Sequence, residues 1–406
     1  MLSWLKQFNI FCLLDGNDHE GTFEWMAGVG MKREIKLSEQ PFDSLQTFAG
    51  QPSWLFGHLS YELKNDIENL SSAHQPFIDF GKGYFFEPLH ILRCSGGNLV
   101  IETGEGDGRE LFDEIERSIP LMGNVNQHPV LAKPVLSREE YIHIINKLKE
   151  HIRRGDCYEI NFCQEFQAND VVIDPYVLYA GLSSISPNPF SALYRHNDLY
   201  CACASPERFL KKEGSAIISQ PMKGTSRRDA ADPVTDKRNR EHLRLSEKER
   251  SENVMIVDLV RNDLSRFCME GSVQVEELFG IYPFSQVWQM ISTIKGEVLP
   301  GMHWVDMVKS CFPMGSMTGA PKRRVMQLID EYEPTARGLF SGALGYINPA
   351  GDFDFNVVIR SIFYDAAAKK LSFQAGGGIT FNSDPGLEYE ESMLKAKAMI
   401  SVLGGN

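Results

Sequence analysis

The sequence predicts an α+β protein with mostly antiparallel sheet, on three observations. Short β-rich runs separated by turn residues fill residues 1–120, amphipathic helical patterns appear from residue 137 onward, and the two kinds never settle into regular βαβ alternation. No internal repeat or low-complexity tract interrupts the 406 residues. With 43% hydrophobic and 23% charged residues, the chain has globular composition and enough length for two or three ordinary domains or one large one.

Taken in order, the N-terminal run MLSWLKQFNIFCLLDGND has no small-residue cleavage pattern and reads as a first strand, not a leader. Residues 8–14, 54–59 and 84–92 read as strands of an N-terminal β-rich region, 1–122, that packs with the part after it. A soft stretch holding Asn, Gln, His and two prolines makes residues 123–136 a linker to a second domain, 137–406. That domain opens on a helix: Ser137 and Glu140 form a capping box, Tyr141, Ile144, Ile145, Leu148 and Ile152 fall at helical spacing, and Gly155 can end it. Strands are expected at 158–166, 199–204, 209–213 and 216–218. A second helix starts near Ser246, and further strands follow at 287–295, 342–347, 355–364 and 371–375. The last helix starts at Asp384-Pro385, an N-cap followed by proline at the first helical position, and runs through Met399.

Charge and cysteine usage narrow the function. The 41 basic side chains against 54 acidic ones, a net charge of −13, argue against general nucleic-acid binding and against an anionic membrane surface. An anionic ligand therefore needs a local cluster of donors. No apolar run approaches the length of a membrane span. The 8 cysteines are scattered without a CxxC pair, which excludes zinc-ribbon and thioredoxin-like readings. Cys201 and Cys203 alternate in a strand-like run, as small buried thiols do. The expectation is a soluble, reduced, cytoplasmic protein.

Chemistry-bearing residues gather in the second half. Glu249 and Glu252, near one helix start, and Glu388 and Glu391, near another, each share a helical face. Two such faces set against each other would offer four carboxylates to one cation, an all-oxygen set suited to Mg2+. The same acids also serve as capping and dipole partners or as an exposed pair with Lys395. Lys223, in QPMKGT, reads as a lysine held in a tight turn after a strand. It is a nucleophile if desolvation neutralises it, or a solvated turn lysine otherwise. Gly376, Gly377 and Gly378 read as a turn whose N–H groups could converge on an anion, or as a flexible connection. Gly315 to Lys322 lacks P-loop spacing. Arg360, late in an apolar strand, calls for a bidentate carboxylate ligand or a structural salt bridge.

Together these segments resemble the chorismate-utilising enzyme family. The resemblance rests on SPERF (205–209), PMKGT (221–225), SEKERSEN (246–253) leading into IVDLVRNDL (256–264), Gly315 to Lys322, Ile359-Arg360-Ser361, GGGI (376–379), and EYEE (388–391) followed by Lys395-Ala396. It is collinear over residues 137–402 and looser at GHLSYELK (57–64). It implies large mixed, mostly antiparallel sheets packed as a sandwich flanked by helices. Lys223 makes the likeness nearest to the aminodeoxychorismate-forming subgroup, since the similar anthranilate-forming component has Ala there and usually His where Asn253 stands. Water-using isochorismate and salicylate synthases place a lysine base on an earlier strand, where this chain has Glu159.

The resemblance further implies Mg2+ on the ring carboxylate of chorismate, held by Glu252 and Glu391 directly and by Glu249 and Glu388 through water. It implies Lys223 as covalent nucleophile and Glu207 as general acid for the C4 hydroxyl. Arg360, Lys395 and the Gly376–Gly378 N–H groups would bind the enolpyruvyl carboxylate, with Thr225 and Thr318 as lesser contacts. No cysteine lies in a Gly-x-Cys-x-Gly elbow and no lyase domain follows the last helix. Ammonia is therefore expected from a separate glutamine amidotransferase subunit, and a separate lyase is expected downstream.

Overall fold

The computed structural model describes residues 1–17, 19, 23–119, 129–229, 231–285 and 287–404. Residues 123–128 of the expected linker lie outside them. Among the described residues two sheets, one of 11 strands and one of 10, form the body. Every described strand pair is antiparallel, so neither sheet is mixed in direction.

The period of two along a strand explains how the sheets stack. In the strand Leu199–Ser205, Cys201 and Cys203 join Phe56, Phe86 and Phe355 of the other sheet in the central core. The intervening Tyr200, Ala202 and Ala204 face outward, into a cluster with Leu178 and Leu182 of the helix Pro175–Ile185 and Met399 of the helix Pro385–Val402. A third cluster seats Tyr141, Ile145 and Leu148 of the helix Arg138–Arg154 on Phe162. That helix has the expected reciprocal capping box, and Gly155 closes it at φ +84°. Asp384 caps the last helix through the N–H groups of Gly386 and Leu387.

Early and late strands share both sheets. The strand Ile10–Asp15 pairs with Phe190–His196, and Leu55–Leu59 pairs with Ala343–Ile347. Among the described residues no helix is long and apolar enough to cross a membrane.

Several expected elements are redrawn. The chain opens with one helical turn, Leu2–Leu5, burying Trp4 and Leu5 before the first strand. The run 84–92 is two strands, Gly83–Glu87 and His90–Ser95, in different sheets; Pro88 between them has no N–H for a ladder. The run 355–364 is likewise two strands, Phe353–Val357 and Ser361–Asp365, and between them the chain passes from one sheet to the other. Arg360 makes that passage at φ +50°, so it lies in a crossover and not in a strand. A second crossover, at Pro206-Glu207, joins Leu199–Ser205 to Arg208–Glu213. The two crossovers are tied together: Ser205 Oγ donates to the Val357 carbonyl at 2.6 Å, Val357 N–H to the Glu207 carbonyl at 3.0 Å, and Ala204 N–H to the Arg360 carbonyl at 3.2 Å.

Candidate active site

Two strands of the 11-stranded sheet form the floor of the site. Glu159–Ala168 lies against Lys370–Thr380, with Phe162 opposite Gly377 and Asn161 opposite Gly378. The glycine triplet is therefore the continuation of a strand, not a turn after it. In a ladder alternate N–H groups point to opposite edges, so the three cannot converge on one anion. Their use here is a bare backbone that side chains approach closely. A Cβ on Gly377 would lie 3.5 Å from both Glu391 Oε1 and Lys395 Nζ and 3.6 Å from Glu388 Oε2. A Cβ on Gly378 would lie 2.5 Å from both Glu159 Oε1 and Lys223 Nζ.

Lys223 comes from the 10-stranded sheet. It lies in the strand Met222–Arg227, not in a turn, at a register shift between Met222 and Thr225. Its ammonium contacts Glu159 Oε1; the two side chains are 11% and 1% exposed. Burial pulls the amine down, yet Glu159, Glu252 and Glu391 outweigh it and hold Lys223 above the usual lysine range. The sequence left a neutralised amine and a solvated turn lysine open; the surrounding carboxylates favour the charged ammonium over the neutral amine.

The crossovers supply an acid, Glu207, and a cation, Arg360. Burial pushes the Glu207 carboxyl up to about 7, against opposing effects from Ser316, Lys223, the Met222 backbone and Arg360. Arg360 is partly exposed, and burial lowers its guanidinium while Glu207 raises it. Among the described residues no carboxylate lies within ion-pair distance of Arg360, and the Glu207 carboxyl is the group that stabilises its charge.

The two acid-bearing helix starts lie beside these strands, one against Gly224 and the other against Gly377. Ser246 Oγ accepts from Glu249 N–H at the head of the helix Glu247–Ser265. Glu249 Oε2 would lie 2.9 Å from a Cβ on Gly224, whose φ is +87°, so glycine is needed there on both counts. Lys248 spans the gap between the helices, 3.9 Å from both Glu252 Oε1 and Glu388 Oε1. Lys395 pairs with Glu391 at 2.8 Å and donates to the Gly376 carbonyl at 3.0 Å. Lys395 and, to a smaller degree, Lys248 and Lys223 lower Glu391 against burial. Burial raises the other three, Glu252 to about 7.

These four glutamates fit a hard divalent cation by donor chemistry. They offer only oxygen, and Glu252 Oε1 is a buried atom without a hydrogen-bond partner. Burial raises three of them and neighbouring carboxylates add to it, a rise which a bound cation would oppose. As the side chains stand, no three acidic, histidine or cysteine groups among the described residues are gathered closely enough to ligate one ion. The expected four-carboxylate cage is therefore not closed, and Lys248 supplies positive charge between the helices.

Two expected lesser contacts are otherwise engaged. Thr318 is fully buried and donates to the Met314 carbonyl at 3.0 Å. Thr225 donates to Gln289 Oε1 at 3.0 Å. Lys248 went unread in the sequence, although its i, i+4 spacing to Glu252 within SEKERSEN was available. The contact of Glu159 with Lys223 had no local signal, because strand register creates it.

A family profile described as chorismate binding enzyme matches residues 15–401. The chain is 33% identical over 356 residues to an anthranilate synthase component I-like protein of Synechocystis, covering 87% of this chain and 73% of that one. It is 33% identical over 357 residues to aminodeoxychorismate synthase component 1 of Bacillus subtilis, covering 84% and 75%. Its fold superposes on anthranilate synthase component I from Streptococcus pneumoniae with a TM-score of 0.81 at 25% identity, covering 96% and 92%. The extent of the family match, together with these relatives, makes the chain a member of the chorismate binding enzyme family.

Proposed function

We propose that the protein aminates chorismate at C4, using ammonia from a separate glutamine amidotransferase subunit, to give 4-amino-4-deoxychorismate. The carrying observation is the buried Lys223 amine placed near the Glu207 carboxyl, whose value of about 7 keeps it substantially protonated at neutral pH. A buried amine with a neighbouring acid suits covalent displacement of a poor leaving group.

Chorismate is a dianion, and an unpaired Arg360 together with Lys395 offers two cations to its carboxylates. Lys223, once deprotonated, attacks ring carbon C2 while both ring double bonds shift and the C4 hydroxyl leaves with the proton of Glu207. Ammonia then adds at C4, the double bonds shift back, and Lys223 is expelled. Mg2+ held by Glu252 and Glu391, with Glu249 and Glu388 behind water, would neutralise the ring carboxylate and withdraw electron density from the ring. The likeness to aminodeoxychorismate synthase component 1 of Bacillus subtilis supports this choice of product and of a two-component assembly.

The test is product analysis with chorismate, Mg2+ and ammonium. Wild type is expected to form a non-aromatic amino acid that keeps its enolpyruvyl group, and Lys223→Ala to lose most of that activity. Formation of anthranilate and pyruvate by wild type would replace this reading with the anthranilate-forming one.

A further inference from the structure

We infer that Glu159 is the proton acceptor that turns the resting Lys223 ammonium into the attacking amine, and that Gly378 is the glycine that lets the two meet. This rests on the aminating reading above and assigns a step which that reading leaves open.

Glu159 stands on the strand Glu159–Ala168 of one sheet and Lys223 on the strand Met222–Arg227 of the other, and their tips meet over Gly378. Any side chain at 378 would begin 2.5 Å from both atoms and drive them apart. Glu159 is 1% exposed and its second oxygen, Oε2, has no hydrogen-bond partner among the described residues. Water is therefore a poor acceptor for the Lys223 proton, and the Glu159 carboxylate is not committed to another donor. In a low-dielectric site, moving one proton from ammonium to carboxylate abolishes both buried charges at once, which keeps the neutral pair within reach.

The proton balance closes over the cycle. An Nζ–H bond of Lys223 breaks, an O–H bond forms on Glu159 Oε1, and the freed electron pair makes the bond to C2. The C4–O bond breaks, and its oxygen departs as water with the Glu207 proton. When ammonia has added at C4, the new ammonium returns a proton to Glu207. The departing Lys223 amine takes its proton back from Glu159. The sum is one hydroxyl and one ammonia consumed for one amine and one water.

The charged and titratable groups that act on Lys223 are Glu159 and Cys163 from the floor strand, Glu252 and Glu249 from one helix, Glu391 from the other, and Glu207 from a crossover. Glu159→Gln removes only the group in contact. At pH 7 the variant is expected to lose about a hundredfold in kcat with KM for chorismate little changed. Its rate should climb toward alkaline pH, where solvent can take the proton, along a limb absent from wild type. Glu159→Asp should restore part of the rate. Gly378→Ala, which keeps both groups and separates them, should show the same alkaline recovery.

A wild-type rate and pH profile in Glu159→Gln would overturn the proposal, as would an equal loss at every pH. A substrate-free readout separates this from the amination reading: competitive acetylation followed by peptide mass spectrometry. Lys223 should acetylate faster in Glu159→Gln than in wild type at pH 8. If it does so while wild type makes no aminodeoxychorismate, the proton pair stands and the amination reading fails.

Discussion

Glu207 shows how placement of one residue sets a working pH. It sits in a crossover, 5% exposed, and burial rather than a neighbouring carboxylate raises its carboxyl to about 7. A general acid must hold its proton, so the rate should fall as pH rises through about 7, the sign expected for a raised carboxyl. Glu207→Gln should lose activity and lose that alkaline fall, as a pH–rate profile would show. At this scale much was legible: Glu207, Lys223, Arg360 and the four glutamates stand in motifs, and Lys223 interacts with Glu207, Glu249, Glu252 and Glu391 in the folded chain. Their states were not legible. From its local sequence Lys223 reads as a lysine that desolvation could neutralise, whereas Glu159, 64 residues away in sequence, touches it and favours its charged form.

Elements carry the acids, and the cost of gathering them is testable. The folded chain keeps the Glu252 proton up to about pH 7, while an ordinary glutamate releases it near 4.5. Ionisation therefore destabilises the fold as pH rises across that window. In chelator, the melting temperature should drop from about pH 5 to about pH 7, and Glu252→Gln should remove part of the drop and weaken any rise on adding Mg2+. Thermal melts with and without the metal would check both. Helix ends were legible wherever a cap was read, at Ser137, Ser246 and Asp384. The same Asp-Pro signature at Asp174-Pro175 and Asp232-Pro233 starts two more helices that the sequence reading passed over. The glycine triplet misled because glycine weakens strands; here the bare backbone is kept because functional groups crowd it. The run 355–364 misled because apolar periodicity does not reveal to which sheet each half belongs.

For the whole molecule, a buried ion pair joins the floor of the site to the loop beside it. Arg337 pairs with Glu333 at 2.6 Å and also donates to the carbonyls of Met317, at 2.6 Å, and Asn161, at 2.9 Å. Glu333 in turn accepts from Cys163 N–H at 2.9 Å. Arg337→Met would strand the Glu333 charge and should cost about 3–5 kcal/mol of stability, measured by denaturant unfolding. The antiparallel α+β class was legible from alternating patterns, and the two-sheet sandwich from the family likeness. The strand order was not, since partners such as Leu55–Leu59 and Ala343–Ile347 lie far apart in sequence.

That braiding of early and late strands has a consequence for inheritance. Cutting away residues 1–119 would strip a neighbour from Phe190–His196 and another from Ala343–Ile347, baring two ribbons of unpaired peptide groups. The chemistry sits in the later part of the chain, yet it cannot be passed on as a free-standing module; expressed alone, that part should aggregate.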